Sequence, residues 1–468
     1  MAQLKIGIAG ASGFVGRYLI EELLKKGYSV VALSRKKRSN HMNKNLTWHK
    51  CDLFSRKDTL LGLAGCDVAF YLTHSMMPSA RLSQGNFVDY DVILADNFAR
   101  SAKENKIKQI IYMGGIIPED VSLSSHLLSR LEVERTLASS EVPLTSLRAG
   151  LIIGPEGSSF RIMYNLVKRL PIMICPSWTR TLSNPISIWD TIESLIYCIN
   201  NKKVFAKKFD IGGTTTISYF DMMKVLGQKL NRKRLLLSVP LFSPELSKLW
   251  VNKVASAPKE LVYPLIGSLK THMIPNIHYK LGDDTLNQMS YHEAIDRILE
   301  EKKDLKRTPR AFKLSVTKGD KSVRSVQRLQ TLYRFNAQEV SERYFNWLKS
   351  NFPFLFVEKE NNWISIYFRG IKKPLISLFK DEKSSREDYA LFYIKAGLLS
   401  QETNRGRLIF RTIIKSRYTM VEIHDFIPRM PWYIYKYTQA IIHLVTMKMF
   451  NLHLLKLKRN IVNHTKSE

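Results

Sequence analysis

Three glycines spaced three residues apart, Gly10, Gly13 and Gly16, follow a short apolar segment near the start of the chain. An apolar pattern of helical period then runs to Gly27, and a second apolar segment covers residues 28–33. A strand, a glycine turn, a helix and a second strand in this order are typical of a dinucleotide-binding βαβ unit. Gly10 would allow the tight turn, Gly13 the close approach of a pyrophosphate, and Gly16 the close packing of helix on strand. Glycine-rich turns also occur in ordinary loops, but the complete βαβ context favours a dinucleotide site.

The predicted pyrophosphate contacts lie at the head of the first helix, where unsatisfied N–H groups and the helix dipole attract anions. They are Gly10, Ser12, Gly13, Phe14, Val15 and Gly16. This interpretation places the diphosphate on the backbone of the turn.

The end of the second strand predicts which cofactor is preferred. Ser34, Arg35, Lys36 and Arg38 stand where an NAD site would place an Asp or Glu on the ribose 2′-hydroxyl. A guanidinium binds a 2′-phosphate through charge-assisted, bidentate hydrogen bonds. We therefore expect NADP(H), with NAD as the alternative. A solvated basic loop in a basic protein is the competing interpretation of these residues.

Further strands alternate with helices along the first 155 residues, which predicts an α/β fold with a doubly wound parallel Rossmann sheet. Ligands bind such sheets at the carboxyl ends of the strands. The residues that follow the third and fourth strands complete the predicted cofactor contacts: Asp52, Leu53, Leu72, Thr73 and His74. An Asp after the third strand commonly reaches the adenine side, and a loop cap is its alternative role.

Composition limits the classes of partner. The chain has 468 residues, 45% of them hydrophobic, so two or three globular domains are expected. A net charge of +31 would suit nucleic acid or an anionic membrane, but the excess is scattered, and no nucleic-acid partner is expected.

The four cysteines lie far apart, so no metal site is predicted. Without a signal peptide or a spanning apolar run, the expected location is cytoplasmic, with peripheral membrane contact left open.

The chain divides by pattern into four parts. Residues 1–155 form the cofactor domain, 156–305 its substrate-side completion, 306–325 a linker, and 326–468 an α+β domain resembling a helix-grip fold. An apolar ligand is expected on the substrate side, with helix packing as the alternative use of its apolar residues, Leu241, Phe242, Leu246, Leu249, Trp250, Pro264 and Leu265.

A long helix is predicted to start at Pro431. Its apolar face carries Tyr437, Ile441, Val445, Met449 and Leu452. We expect this face to pack into the domain core. An interfacial amphipathic helix, with Lys436, Lys448, Lys456 and Arg459 at its polar side, is the alternative.

These motifs resemble the extended and atypical members of the short-chain dehydrogenase/reductase superfamily, through the glycine turn and Arg148-x-Gly150-xxx-Gly154-Pro155. Residues 71–76, 111–115, 126–130 and 184–186 are similar to a bacterial subgroup in which an atypical reductase domain is fused to a C-terminal domain of unknown function. Relatives of this kind include NmrA-like regulators and an accessory subunit of respiratory complex I.

The superfamily implies a Tyr-xxx-Lys pair on one helix face and a Ser after the fifth strand. Here the positions of the pair match His126 and Arg130, and the Ser position falls in Gly114-Gly115. The i,i+4 spacing still places both side chains on one face. Histidine can act as a general acid or base, whereas arginine can hold a ribose hydroxyl but cannot transfer a proton. His126 as part of the cofactor frame or of the core is the alternative.

Two functions follow from the resemblance. The first is an NADP(H)-dependent oxidoreductase that acts on a small hydrophobic carbonyl or hydroxyl compound. The second is a non-catalytic NAD(P)H-binding sensor or assembly protein that has lost the Tyr-xxx-Lys pair. The substrate, the ligand of the C-terminal domain and the oligomeric state do not follow from the sequence.

Overall fold

The computed structural model describes residues 3–36, 38, 43–74, 82–119, 121–239, 267–282, 288–304, 322–330, 335–403, 405–416 and 418–464. The chain forms two compact units. The first comprises Met1–Met77 and Asp91–Lys313, and the second comprises Pro78–Tyr90 and Leu314–Glu468. Residues 78–90, which the sequence pattern assigns to the cofactor domain, therefore group with the second unit.

A seven-stranded parallel sheet organises the first unit, and its order is β12-β7-β6-β4-β1-β2-β3. Its strands are β1 Lys5–Ala9, β2 Ser29–Ser34, β3 Leu46–Lys50, β4 Val68–Tyr71, β6 Gln109–Gly115, β7 Leu144–Ala149 and β12 Lys208–Ile211. The direction of winding reverses between β1 and β4, which is where doubly wound sheets bind ligands. The predicted α/β Rossmann fold is confirmed. Strand β12 lies beyond the predicted 1–155 boundary, so the sheet is completed by the substrate-side segment.

Helices cover both faces of this sheet. They are α1 Phe14–Lys25, α2 Arg56–Gly62, α3 Phe87–Glu104, α4 Ser125–Ala138, α5 Ser158–Arg169, α6 Ile188–Tyr197, α7 Tyr219–Lys229 and α8 Tyr291–Asp304. Successive residues of a strand point to opposite faces. Phe70 of β4 accordingly joins the core beneath α1 and α6, whereas the ring of Tyr71 lies 5.0 Å from that of Phe98 on α3.

Short strand pairs and 3₁₀ turns complete the first unit. The pairs are β8 Ile152–Ile153 with β11 Ile186–Ser187, β9 Ile172–Pro176 with β14 Leu235–Val239, and β10 Leu182–Ser183 with β13 Ile217–Ser218. The 3₁₀ helices are Ser177–Arg180, Lys202–Val204 and Ile277–Tyr279. The seven substrate-side residues from Leu241 to Leu265 lie outside the described residues.

The second unit contains an eight-stranded sheet of order β16-β17-β18-β19-β20-β21-β15-β5. Its strands are β5 Leu82–Gln84, β15 Val323–Gln330, β16 Leu355–Glu360, β17 Trp363–Phe368, β18 Ile376–Lys380, β19 Tyr389–Ala396, β20 Arg407–Thr412 and β21 Tyr418–Phe426. All neighbours are antiparallel except β5, which is parallel to β15. Strand β15 begins at Val323, so the last residues of the predicted linker belong to the sheet.

Helices pack against one face of this sheet: α9 Ala337–Asn351, α10 Trp432–Tyr437 and α11 Gln439–His464. A capping box between Asn336 and Glu339 starts α9. The core joins Tyr344 and Trp347 of α9, Phe410 of β20 and Phe450 of α11. The predicted α+β domain with an antiparallel sheet and a long C-terminal helix is confirmed.

The long C-terminal helix contradicts one prediction. Ala440, Met447, Phe450 and Leu454 form its buried face, whereas Tyr437, Ile441, Val445, Met449 and Leu452 are exposed. Residues nine positions apart on a helix lie on opposite sides, and both sides of α11 are apolar, so the pattern alone could not identify the buried one. Residues 432–457 are also long and apolar enough to cross a membrane by length and composition alone, a test that the core helix of a soluble protein also passes.

Candidate functional site

The glycine turn between β1 and α1 depends on residues without a side chain. Gly10 has a φ of +87°, in the left-handed region that other residues rarely adopt. A Cβ atom there would lie 2.9 Å from the carbonyl carbon of Leu72. A Cβ atom on Gly16 would collide with the carbonyl oxygen of Gly10 and lie 2.8 Å from Cα of Ala11. The turn therefore requires glycine at both positions.

Gly13 is the N-cap residue of α1 and has no side chain that could cover the head of the helix. Its N–H donates to the carbonyl oxygen of Gly10 at 2.9 Å, which closes the turn. Ser12 and Gly13 are exposed, and Phe14 and Val15 are half-buried. An open helix N-terminus of this kind can receive a diphosphate.

The predicted ribose-phosphate contacts follow β2. Ser34 is buried at the end of the strand, whereas Arg35 and Lys36 are exposed. The guanidinium carbon of Arg38 lies 4.6 Å from the centroid of the Trp48 ring, so this cation stacks on β3. Residues 34–36 include no aspartate or glutamate, and the preference for NADP(H) stays a prediction.

Asp52 and Leu53 form a turn after β3. Asp52 Oδ1 accepts a hydrogen bond from the N–H of Phe54 at 3.2 Å, and the carbonyl of Leu53 accepts one from Nδ2 of Asn97 at 2.7 Å. Asp52 thus has the loop-capping contact that was its alternative interpretation. Its proposed place near the adenine stays a prediction.

Leu72, Thr73 and His74 follow β4 beside the glycine turn. The N–H of Leu72 donates to the carbonyl of Ala9 at 3.0 Å, which fixes this segment against the end of β1. All three side chains are half-buried. Because the strands are parallel, the glycine turn and residues 72–74 meet at one edge of the sheet, at the reversal of winding order.

A buried ionic group links His74 to helix α4. Asp91, on α3, is the centre of this group, which we call the Asp91 cluster and which comprises Asp91, His74, Ser129 and Arg130. Asp91 Oδ2 lies 2.7 Å from Nη2 of Arg130, 2.8 Å from Oγ of Ser129 and 3.0 Å from Nδ1 of His74. Nη2 of Arg130 also lies 2.6 Å from Nδ1 of His74. Arg130 is only 7% exposed. The predicted catalytic arginine is therefore bound inside the protein.

The electrostatics of the cluster keep its carboxyl ionised. Burial alone would raise the pKa of Asp91, but the neighbouring His74 and Arg130, together with hydrogen bonds from His74 and Ser129, outweigh it and hold this pKa far below its usual range. Burial, reinforced by the Arg130 charge, lowers the pKa of His74. A buried ion pair of this kind is costly to break because removing one partner leaves a charge without compensation.

His126, the second predicted catalytic residue, lies at the head of α4. Its ring centroid is 5.1 Å from that of His74. Burial, together with His74 and Arg130, lowers the pKa of His126 to about 3. The sequence indicated only that a histidine can act as a general acid or base, and it did not indicate the burial that lowers this pKa. His126 is neutral at pH 7, so it can donate its ring N–H as a hydrogen bond but carries no readily transferred proton.

His126 lines an apolar cavity of about 150 Å³ at the carboxyl ends of β6 and β7. A cavity of this size, about 150 Å³, can hold one small ring-sized apolar group. The lining residues are Gly115, His126, Leu127, Ala149, Gly150, Leu151, Ser159, Ile162, Met163, Leu166, Trp178, Tyr219, Met223, Ser268, Leu269 and Met273. Gly114 and Gly115 end β6, where the superfamily would place its serine.

Two functional candidates were missed by the sequence interpretation. Asp91 lies four residues before Ala95 on α3 and therefore shares its buried face. An acidic residue on a buried helical face is unusual, and this signal could have identified Asp91. Tyr219, the first residue of α7, also lines the cavity, and burial raises its pKa to about 12. No local pattern distinguished Tyr219 from an ordinary residue that follows the N-cap residue Ser218.

The Arg148-to-Pro155 motif supports the site by packing. Nε and Nη2 of Arg148 donate to the Glu134 carboxylate at 2.8 and 2.5 Å, which ties β7 to α4. A Cβ atom on Gly154 would lie 2.6 Å from the Phe14 ring, and one on Gly150 would lie 2.9 Å from Cβ of Met273. Gly154 therefore leaves space for Phe14 of α1, and Gly150 leaves space for Met273 in the cavity wall.

Metal binding and cysteine chemistry were also considered for the part of the chain that the structure describes. No group of three or more His, Cys, Asp or Glu side chains among these residues could hold a metal ion. All four cysteines are buried and free. Ser75 and Met76, which follow His74, lie outside the described residues.

Comparison with known proteins identifies relatives of the first unit. Residues 6–120 match the NAD dependent epimerase/dehydratase family. The chain is 30% identical over 114 residues, 24% of its length, to auxiliary protein GraX of Staphylococcus aureus, and this match spans about a third (36%) of that relative. It is 23% identical over 313 residues to an uncharacterized UDP-glucose epimerase, YtcB, of Bacillus subtilis, covering 59% of this chain and 98% of the relative.

A solved structure has the same fold. It is a nucleoside-diphosphate-sugar epimerase from Staphylococcus aureus, with 13% sequence identity and a TM-score of 0.50, and the match covers 62% of this chain and 99% of the other. At this identity the likeness concerns the fold alone.

Proposed function

We propose that this chain, whose residues 6–120 match the NAD dependent epimerase/dehydratase family, is an NADP(H)-dependent oxidoreductase for a small hydrophobic carbonyl or hydroxyl compound. One observation carries this proposal. The polar ring of His126 lines an apolar cavity at the same sheet edge where Gly10, Gly13 and Gly16 leave the head of α1 open.

The residues of the turn fit a dinucleotide. A Cβ atom at Gly10 or Gly16 would collide with the backbone of the turn or its neighbour, and both positions are glycine. The exposed N-terminus of α1 provides backbone donors for a diphosphate. Arg35 and Lys36, exposed after β2, would bind a 2′-phosphate. When bound, the cofactor would supply a hydride from its nicotinamide ring.

The chain's own groups would orient the carbonyl. Reduction of a carbonyl to an alcohol adds one hydride to carbon and one proton to oxygen. His126 is neutral and Tyr219 retains its proton, so both can donate hydrogen bonds that polarise a carbonyl oxygen in the cavity. Neither gives up its proton readily at pH 7, and we propose that solvent water supplies it.

The lining favours an apolar substrate over a sugar nucleotide. Besides His126, Tyr219, Ser159 and Ser268, the side chains around the cavity are apolar. Sugars need several hydrogen-bonding partners, and a site that leaves their hydroxyls unpaired loses binding energy. A ring-bearing aldehyde, ketone or quinone matches this lining.

Activity is tested by incubating the protein and NADPH with a panel of aldehydes, ketones and quinones while following NADPH absorbance. We expect oxidation with at least one apolar compound. His126→Ala and Tyr219→Phe each remove a hydrogen-bond donor to the carbonyl oxygen and should each lower kcat about a hundredfold with NADPH affinity unchanged. His292→Gln, a change of an exposed histidine on α8, is the matched control. Unchanged rates in both cavity variants would contradict the proposed site.

The cofactor preference has a separate test. Arg35→Asp should weaken NADPH binding about a hundredfold, because an attraction is replaced by a repulsion, and should change NADH binding less than about threefold. Lys26→Asp, at the other end of α1, is the control for net charge. Equal losses for the two nucleotides would overturn the NADP(H) assignment.

The second candidate function is a nucleotide-bound sensor or assembly protein without turnover. The specific observation in its favour is that Arg130, at the position of the superfamily's lysine, is paired with Asp91. NADPH binding that raises the melting temperature, with no oxidation across the panel and no effect of His126→Ala, would favour this candidate.

A further inference from the structure

The segment formed by α10 and α11 has an exposed apolar face, which we call the outer face. Its side chains include Tyr433 and Tyr437, 69% and 67% exposed, and Ile442 and Val445, 64% and 51% exposed. Ile441, Met449 and Leu452 continue it along α11. Isolated exposed apolar residues are ordinary, but a set that continues from α10 along the first half of α11 marks an interaction surface.

The opposite side of the same helix holds it in the domain. Ala440, Met447, Phe450 and Leu454 belong to the core of the second unit, where the Phe450 ring lies 5.1 Å from Tyr344 and 5.2 Å from Trp347. A helix inserted across a bilayer would have to remove these side chains from the core. The segment can therefore contact a membrane only along its outer face.

The charges of the segment are all of one sign. Residues 432–464 contain Lys436, Lys448, Lys456, Lys458 and Arg459 and no aspartate or glutamate. Lys448 lies seven residues after Ile441 and four before Leu452, so it is on the outer face, and Lys456 follows on the same side. Both are exposed. Lysines in an apolar face can extend their stems along it and keep their ammonium groups at the lipid headgroups.

We propose that the outer face docks on the surface of an anionic lipid bilayer, with the helix lying parallel to the membrane. Tyr433 and Tyr437 suit the headgroup boundary, where aromatic rings with a polar tip are enriched. Basic residues within an apolar helical face are the feature that attracts such helices to anionic lipids. A second copy of the chain would bring like charges together at Lys448 and Lys456, which disfavours self-association through this face.

Vesicle flotation tests the proposal with the full-length protein. The vesicles are phosphatidylcholine alone, or phosphatidylcholine with phosphatidylglycerol. We expect binding to the anionic vesicles at least about tenfold tighter than to the neutral ones, and weakening as salt rises. Lys448→Glu with Lys456→Glu should lower anionic binding about tenfold or more, at about 1 kcal/mol per basic residue.

Apolar contact is tested by Ile442→Ser with Val445→Ser, which should lower binding about tenfold on both kinds of vesicle. Ile277→Ser and Lys57→Glu are matched controls, because Ile277 is 81% exposed and Lys57 is exposed, both in the first unit. All these positions are on the surface, and an unchanged melting temperature verifies folding.

Three results would overturn the proposal. The first is the absence of binding to anionic vesicles, and the second is binding that the outer-face variants do not reduce. The third is a dimer in light scattering that Ile442→Ser with Val445→Ser dissociates, because the face would then join two copies of the chain.

Discussion

The two halves of the candidate site, the glycine turn and the head of α4, differ in what holds them. The glycine turn depends on backbone geometry, with Gly10 in a left-handed conformation and Gly16 in contact with the turn itself. The head of α4 depends on side chains, and there we match His126 and Arg130 to the superfamily's tyrosine and lysine positions. By this match, the first half keeps the pattern of the superfamily and the second changes it.

The difference has a physical basis. A diphosphate is bound by N–H groups that every residue provides, so only the space around the backbone matters. Proton transfer depends on the pKa of particular groups. Here the Arg130 guanidinium that would assist a tyrosine is paired with Asp91, and it helps to lower the pKa of His126. We therefore expect mutations to separate the proposed nucleotide binding from the proposed catalysis.

The largest expected effect on NADPH binding is at the turn. Gly16→Ala places a Cβ atom against the carbonyl of Gly10, and overpacking at this position should cost about 3 kcal/mol of unfolding free energy. Displacement of the turn should weaken NADPH binding on the order of a hundredfold. Urea unfolding and fluorescence titration measure both quantities.

Gly27→Ala, at the opposite end of α1, is the matched control. Its φ is +81°, with no heavy atom within 4 Å of an added Cβ, so strain of about 1 to 2 kcal/mol is expected without loss of NADPH affinity. If Gly16→Ala were as mild as Gly27→Ala, the turn would not have the close packing described.

The next effect concerns the Asp91 cluster. Arg130→Gln leaves the Asp91 carboxylate buried without its cation and should cost about 3 to 5 kcal/mol. Adding Asp91→Asn removes the second charge and should restore much of that loss, with a coupling energy of about 1 to 3 kcal/mol in urea unfolding. If Arg130→Gln lowered NADPH affinity without lowering stability, this arginine would bind the cofactor instead.

An exposed pair provides the control for this cycle. Lys229 and Asp296 form a salt bridge with 32% and 51% of their side chains exposed. Lys229→Gln should cost less than about 1 kcal/mol, because solvent screens the pair.

The smallest effect is a pH dependence. The folded-state pKa of His126 is lowered to about 3, whereas an unfolded histidine has a pKa of about 6.5. Between these values the unfolded chain binds more protons, so stability falls as pH decreases. From pH 7 to about pH 5, wild type should lose about 1 to 2 kcal/mol more than His126→Gln. The Asp91 carboxyl does not contribute there, because its stabilisation is lost only below about pH 4.

Urea unfolding at the two pH values measures the difference. The control is His292→Gln, which should keep the wild-type dependence. An identical pH dependence in His126→Gln and wild type would show that burial does not depress this pKa.

Local sequence was sufficient where local geometry determines the structure. The glycine turn follows from short-range rules and was predicted, and the capping residues Ser218 and Asn336 obey rules of the same kind. The apolar residues of α3 from Val92 to Ala102 also recur at helical spacing and lie on a single buried face.

Long-range contacts could not be predicted in this way. Strand β5 pairs with β15, whose residues lie more than two hundred positions later, and no local pattern encodes that pairing. The Asp91 cluster joins residues from three separate segments, so neither the pairing of Arg130 nor the low pKa of His126 followed from i,i+4 spacing. The buried side of α11 was misassigned because apolar residues occupy both of its sides.

Dinucleotide binding is tested most directly by calorimetric titration of the purified protein with NADPH and, separately, with NADH. We expect saturable binding of one NADPH per chain, at least about tenfold tighter than NADH because Arg35 would bind the 2′-phosphate. Saturation by neither nucleotide would contradict the proposal that this chain binds a dinucleotide.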